Sequence, residues 1–290
     1  MPAYLDNAAT TRVCPEAARA ALEAMTEGFG NPSARYAAGQ AAAARVAEHR
    51  AAVARRLGCD PAELTFTSCG TEGDNWAVRA AAEHGRRRGR HIITTAIEHA
   101  AVLEPVKALA AQGYEVTYLK PDRAGRVSVD ELRAALREDT VLVSMMLVNN
   151  ELGTLQPVAQ AAQAIRDAGS PALLHCDAVQ GFLKVPFTPA RLGVDMLTLS
   201  GHKLRAPKGI GVQYIRKGLN LKPLLLGGGQ EGGLRSGTEP TAQIAALAAA
   251  CDAWGEDYPA RISKLKEYAL ESLSALPGLE IVSRGDAPHI

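Results

Sequence analysis

Residues 141–148 (VLVSMMLV) form an almost unbroken apolar run. A run of this length without polar alternation suits a central strand buried on both faces. Such strands belong to parallel sheets whose crossover helices cover both sides. The flanking sequence supplies the rest of that architecture. Strand patterns at 63–68, 90–95, 115–119, 172–177, 196–200 and 211–215 alternate with helical patterns at 71–84, 100–112, 128–136 and 158–168. The alternation predicts an α/β fold with a mostly parallel sheet flanked by helices. Gly58 and Gly113 stand where helices stop, and Ser128 with Glu131 forms a capping box that opens another.

Upstream, 15–25 reads as a helix with Pro15 at its first position, and the alanine-rich 37–57 as a second. The segment 4–11, YLDNAATT, is too polar for a core strand. Beyond Pro240 the pattern changes to helices at 241–254 and 261–276 and a lone strand at 279–283. One strand cannot make a stable sheet, so these elements read as the start of a second, incomplete domain. The expected organisation is an N-terminal segment over 1–14, a large domain over 15–240 and connecting helices over 241–290.

Aromatic residues make up only 4% of the 290, so the core is expected to be built from Ala, Val, Leu and Ile. The formal net charge of +1 gives no reason to expect nucleic acid or an acidic membrane as a partner. The one basic cluster, Arg86–Arg90, falls between a helix and a strand and reads as a solvated loop. There is no run of apolar residues long enough to span a membrane and no signal-peptide pattern, so a cytoplasmic location is expected. Five cysteines without C-x-x-C spacing argue against a disulfide framework or a zinc site.

Open parallel sheets bind ligands beyond the carboxyl ends of their strands, and the polar motifs cluster there. Phe66–Glu72 (FTSCGTE) joins a strand to a helix. Its small residues suit a phosphate at a helix N-terminus, or Ser68 or Thr71 simply caps the helix. His99, after strand 90–95, either stacks on a flat ring and moves protons or caps the next helix. Asn149 and Asn150 either meet a ligand oxygen or make a turn. Asp177 ends an apolar strand, and a buried carboxylate there needs a cation, either a protonated pyridine nitrogen or an arginine. Ser200-Gly201-His202-Lys203 follows strand 196–200. A lysine held in a pocket there can form a Schiff base with an aldehyde. Lys208 is a rival amine, but it lies farther from the strand end. The glycines of 227–233 do not sit between a strand and a helix and are no dinucleotide fingerprint. Together the motifs fit pyridoxal 5'-phosphate, a phosphorylated pyridine aldehyde held by lysine and faced by a carboxylate.

The ordered set YLDNAATT, GNPSARYAAG, FTSCGTEGDN, IEHAAVL, VNNELGTLQP, HCDAVQ, SGHKLRAPKGIG and GGGQEGGLRSGTEP closely resembles cysteine desulfurases of the NifS/IscS type. These belong to the class V aminotransferase group of fold-type I pyridoxal phosphate enzymes. The resemblance implies that Lys203 carries the cofactor, that Asp177 pairs with the pyridine nitrogen, and that Asn150 and Gln180 lie at its phenolic oxygen or the surroundings of that oxygen. It implies that His99 stacks on the ring and transfers protons, and that Gly70, Thr71, Ser200 and His202 bind the phosphate. Thr238 would reach the phosphate of the other subunit of a homodimer, and Asn7 would lie near the substrate. The implied reaction converts L-cysteine to L-alanine and leaves persulfide sulfur for a sulfur-acceptor protein such as an iron–sulfur scaffold.

Two departures stand out. The family's nucleophilic cysteine and its substrate-binding arginine belong to a C-terminal region beyond Ile290, so neither is assigned, and the chain is expected to lack that part. Cys69 is nearest the cofactor but on its phosphate side; Cys176 points away from Asp177 into the core, and Cys14, Cys59 and Cys251 read as structural. Tyr36 stands where the family's loop usually has histidine. Two alternatives follow: another class V enzyme, such as a selenocysteine lyase or an aminotransferase, or a cofactor-binding dimer without turnover.

Overall fold

The computed structural model describes residues 3–255 and 257–281. Helices α1 (Pro15–Thr26) and α2 (Ala37–Leu57) come first. Then follow β1 (Leu64–Thr67), α3 (Gly70–Gly85), β2 (His91–Thr95), α4 (Ala100–Ala110), β3 (Glu115–Leu119), α5 (Val129–Ala135) and β4 (Thr140–Ser144). The chain continues through α6 (Val158–Asp167), β5 (Leu173–Asp177), α7 (Pro189–Leu192), β6 (Met196–Ser200), β7 (Gly211–Ile215), α8 (Thr241–Asp252) and α9 (Tyr258–Ser274). Among the described residues, seven strands form one sheet in the order β1-β7-β6-β5-β4-β2-β3. Only β7 runs against its neighbours. The expected mostly parallel α/β sheet is therefore what forms. The chain winds from β2 outward to β3, then returns past β2 to β4 and β5, and this reversal marks where an open sheet offers a crevice.

The period-2 alternation of the strands divides the core. Leu174, Cys176, Leu197 and Leu199 pack with residues of α1, α2, α6 and α8. Ile92, Leu142, Leu173 and Met196 pack with α3 and α4 on the other face. The alanine content lets helices lie close to the sheet, and Gly58 ends α2 in the left-handed conformation expected of a C-terminal glycine. The 141–148 run is a strand only to Ser144. Residues 145–148 stay buried, with Met145 N–H donating to His175 O at 3.0 Å and Leu147 N–H to Asp177 O at 2.8 Å. The chain then turns back through an antiparallel bridge between Val148 and Leu155, which draws it out of the ladder.

Arg86–Arg88 form an exposed turn. All five cysteines carry free thiols. Among the described residues no helix is long and apolar enough to cross a membrane. Helix α8 is buried with α1 and α2 in one core, whereas α9 has no buried side chain. Of the strand expected at 279–283, residues 279–281 are not in a strand and the other two lie outside the described residues.

Two buried carboxyl groups fasten loops to this frame. Glu231, in the glycine-rich stretch, is gripped by both Arg50 Nη atoms at 2.8 and 2.7 Å and accepts from Phe66 N–H at 2.8 Å. Arg50 also donates to Leu64 O at 2.8 Å and lies 4.6 Å from the centre of the Phe66 ring. Glu98, just after β2, receives the Met146 N–H and the Thr95 hydroxyl on Oε1, both at 2.8 Å, while its Oε2 is buried without a partner. Burial pushes the Glu98 carboxyl up to about 8, against the pull of those two hydrogen bonds.

Both anchors can be tested. Glu231→Ala leaves Arg50 buried without its counterion and is expected to destabilise the fold by about 3–5 kcal/mol in denaturant titrations. For Glu98, the folded chain holds a proton between its ordinary value of 4.5 and about 8 that the unfolded chain has released. Its contribution is therefore full below that window and is lost as pH rises through it. Glu98→Gln is neutral throughout, so its stability should fall less than the wild type's between acid and pH 8, by on the order of 2–4 kcal/mol. Equal pH slopes for the two proteins would contradict this.

Candidate active site

A cavity of about 500 Å³ opens beyond the carboxyl ends of β1, β2, β4, β5 and β6. Each strand delivers polar residues through the loop that follows it. Cys69, Gly70, Thr71 and Asp74 come from the β1–α3 junction, and His99 from the turn after β2. Met146, Asn150 and Glu151 follow β4, while Asp177, Val179 and Gln180 follow β5. Ser200, His202 and Lys203 follow β6. Of the residues singled out in the sequence, Gly70, Thr71, His99, Asn150, Asp177, Gln180, Ser200, His202 and Lys203 are thus brought together. Asn7 and Thr238 are exposed and do not line the cavity, although Asp6 and Ala8 on either side of Asn7 do. Lys208 is exposed and also lies off the cavity.

The N-terminal segment is one wall. Lys203 Nζ donates to the carbonyls of Ala8 and, at 2.7 Å, Ala9. Gln180 Nε2 donates to Ala8 O at 2.9 Å. Thr11 ties the segment down from both sides: its N–H and hydroxyl donate to His202 O at 2.9 and 2.8 Å, and its Oγ1 accepts from Arg205 N–H. The polar composition of YLDNAATT is explained by this role, since every such contact needs a backbone or hydroxyl group free of a sheet. Partial burial lowers the Lys203 pKa, opposed by the carboxylates of Asp6 and Asp177. His202 is pushed down to about 4 by burial and by Lys203, so it is neutral near pH 7.

Asp177 is the floor of the cavity. It is buried, and one oxygen accepts the Val179 N–H at 2.9 Å. Burial raises its pKa; that hydrogen bond and the nearby His99 and Lys203 oppose the shift. Asp74 on α3 is buried beside it and is raised well above the carboxylate range, first by burial and then by the charge of Asp177. Its neighbour His175, 3.5 Å away, is held to about 3 by burial and is hydrogen-bonded to Ser144 and Thr198 at 2.9 and 3.0 Å. The floor therefore presents carboxyl groups backed by a neutral imidazole, and no arginine is among the described residues that line the cavity. A cation brought by a ligand would relieve it. His99 caps α4, its Nδ1 accepting from Ala101 N–H at 3.1 Å. An accepting Nδ1 is unprotonated, which leaves Nε2 as the nitrogen that carries the ring proton.

The opposite end suits an anion. No side chain caps the first turn of α3, and Ser200 Oγ is buried without a hydrogen-bond partner. A Cβ at Gly70 would come within 2.9 Å of Val179 Cγ2, so only glycine lets the backbone sit this close. Glu72 does not compete with an anion there. Arg235 binds it at 2.9 Å and Ser68 donates to it, and these bonds hold it ionised despite burial. A phosphate at α3, a cationic ring nitrogen at Asp177 and an aldehyde carbon at Lys203 fit the donors present. Sequence reasoning missed Asp6, Met146 and Asp74. Asp74 was within reach, since it lies four residues after Gly70 on the same helix face. Asp6 and Met146 enter through tertiary contacts alone. Cys69 lines the cavity, whereas burial holds the Cys59 and Cys251 thiols up to about 12 and Cys176 well above its usual range.

Residues 3–289 match the family described as aminotransferase class V. The chain is 44% identical over 277 residues to the cysteine desulfurase IscS of Methanosarcina thermophila, covering 94% of this chain and 68% of that one. It is 49% identical over 249 residues to cysteine desulfurase 2 of Trichormus variabilis, covering 86% of this chain but only 62%, less than two thirds, of that relative. A solved structure titled NifS-like protein superposes with a TM-score of 0.96 at 40% identity, covering 100% of this chain and 80% of that one. The chain belongs to the class V aminotransferase family, in its cysteine desulfurase branch of the NifS/IscS type.

Proposed function

We propose that this chain is a pyridoxal phosphate-dependent cysteine desulfurase. The reaction it serves takes L-cysteine to L-alanine and moves the substrate sulfur onto a cysteine thiolate, giving a persulfide for an acceptor protein such as an iron–sulfur scaffold; none of Cys14, Cys59, Cys69, Cys176 and Cys251 is assigned as that thiol. The observation that carries the reading is the convergence on one cavity of an amine, a buried carboxyl group and an uncapped helix N-terminus. When bound, pyridoxal phosphate supplies an electron sink for negative charge developing at the α-carbon of an amino acid. The other roles belong to the chain. Gly70, Thr71, Ser200 and His202 hold the phosphate, with His202 donating as a neutral ring. Asp177 holds its negative charge against the ring nitrogen. Asn150 and Gln180 direct amide groups at the phenolic oxygen.

Lys203 has a lowered pKa, which favours the unprotonated, nucleophilic amine and lets it accept a proton. His99 covers the ring and presents Nε2 for proton exchange. Asn7, between the cavity-lining Asp6 and Ala8, is assigned to the substrate side. Thr238 is exposed, where it serves the site of a second subunit in a homodimer. We read 15–240 as the cofactor-binding domain, with 241–290 leading from it.

Borohydride reduction after incubation with pyridoxal phosphate, followed by intact mass and peptide mapping, tests the core of this reading. One reduced adduct on Lys203 is expected, absent in Lys203→Ala. An adduct on Lys184 or Lys208, or none, would overturn it. Asp177→Ala removes one partner of a buried ion pair and should weaken cofactor uptake by about 100-fold or more. Release of alanine from L-cysteine, rather than amino transfer to a keto acid, separates desulfurase from aminotransferase.

A further inference from the structure

Gln180 is a buried amide whose two ends meet partners of opposite polarity. Its Oε1 accepts from Lys184 Nζ at 3.1 Å, and its Nε2 donates to Ala8 O at 2.9 Å. An ammonium only donates and a carbonyl only accepts, so the pair permits one orientation of the amide. The turn that brings the lysine back to Gln180 is tight. Lys184 N–H and Val185 N–H both donate to Gly181 O at 3.0 Å, and Leu183 has a φ of 62°. A leucine adopts that left-handed conformation only where its surroundings hold it. Lys184 itself does not line the ligand cavity.

We propose that Lys184 is a positioning residue that fixes the Gln180 amide with its N–H end toward the cavity and the N-terminal wall. One Nε2 proton is engaged by Ala8, and the other remains for an acceptor oxygen in the cavity. The charged groups near Lys184 agree with this role. Arg55 and Arg56 of α2 and Tyr258 of α9 share the two apolar clefts that Lys184 lines, and among the described residues lining them there is no carboxylate. Lys203 lies on the other side of Gln180. Burial, and then the charge of Lys203, bring the Lys184 amine down to about 7. A neutral amine accepts as well as donates, so the lock loosens as pH rises past neutrality. The orientation claim stands on this geometry. Its consequence, a donor held at the cofactor's phenolic oxygen, rests on the pyridoxal phosphate reading.

The side-chain amide resonances of Gln180, identified by their loss in Gln180→Ala, test the claim on the cofactor-free chain. Lys184→Met should shift or broaden them, and Lys184→Arg, which keeps a donor, should leave them in place. Unchanged resonances in Lys184→Met overturn the proposal. Should that variant fail to fold, a pH titration of the wild type gives the same test: the resonances move with a midpoint near 7, and a flat response overturns the proposal. With pyridoxal phosphate bound, Lys184→Met should move the midpoint of the visible band by about half a pH unit or more, in the direction of Gln180→Ala. An unmoved midpoint, with Gln180→Ala shifted, removes the proposed effect on the cofactor. A wild-type chain that binds no cofactor refutes the cofactor reading and leaves the amide result intact.

Discussion

A carboxylate at the end of a strand buried on both faces is costly unless a cation meets it. Asp177 has that place at the end of β5, in the middle of the sheet. Around it the fold supplies another buried carboxyl group, Asp74, and a neutral His175, with Lys203 as the positive charge that opposes its raised pKa. This imbalance gives the cavity a sign and a polarity. One end suits a cationic group, and the other, at the first turn of α3, suits an anion. A ligand with both features is fixed in orientation before any reacting atom is considered.

The parallel sheet makes that arrangement possible. Because β1, β2, β4, β5 and β6 end on the same side, five loops distant in sequence meet over one cavity. The loops are held from behind. Glu98 ties the turn before His99 to Met146, Arg235 neutralises Glu72 beside the anion end, and Glu231 ties the glycine-rich stretch to Arg50 and β1. Rigid support of this kind keeps small polar groups in place without a large side-chain core near the ligand. The N-terminal segment closes the site from the front through Lys203, Gln180 and His202.

Much of the fold was legible in the chain. The strand ends at 119, 177, 200 and 215 fall where the patterns place them, because β-branched and leucine runs stop at small or polar residues. The run 141–148 overran β4 at its far end: residues 145–148 are buried, and Met145 and Leu147 still donate to β5 carbonyls, but the chain bends back through the Val148–Leu155 bridge instead of continuing as a strand. Most of the polar residues that line the cavity were also legible, because polar residues placed directly after apolar strands have few structural reasons to be there.

What the sequence by itself determined is most of the strands, the mostly parallel character of their sheet, and the polar residues at their carboxyl ends. These follow from local patterns of hydrophobicity and turn chemistry. Only the tertiary structure decided that Asp74 joins Asp177 at the floor, that YLDNAATT forms a wall of the cavity, and that Lys184 reaches Gln180. Each depends on a contact between segments whose separation in sequence carries no periodic signal, and on how deeply packing buries a charge. The same distinction separates Lys203 from Lys208: both are lysines in one loop, and only burial beside Asp6 and Asp177 alters the chemistry of the first.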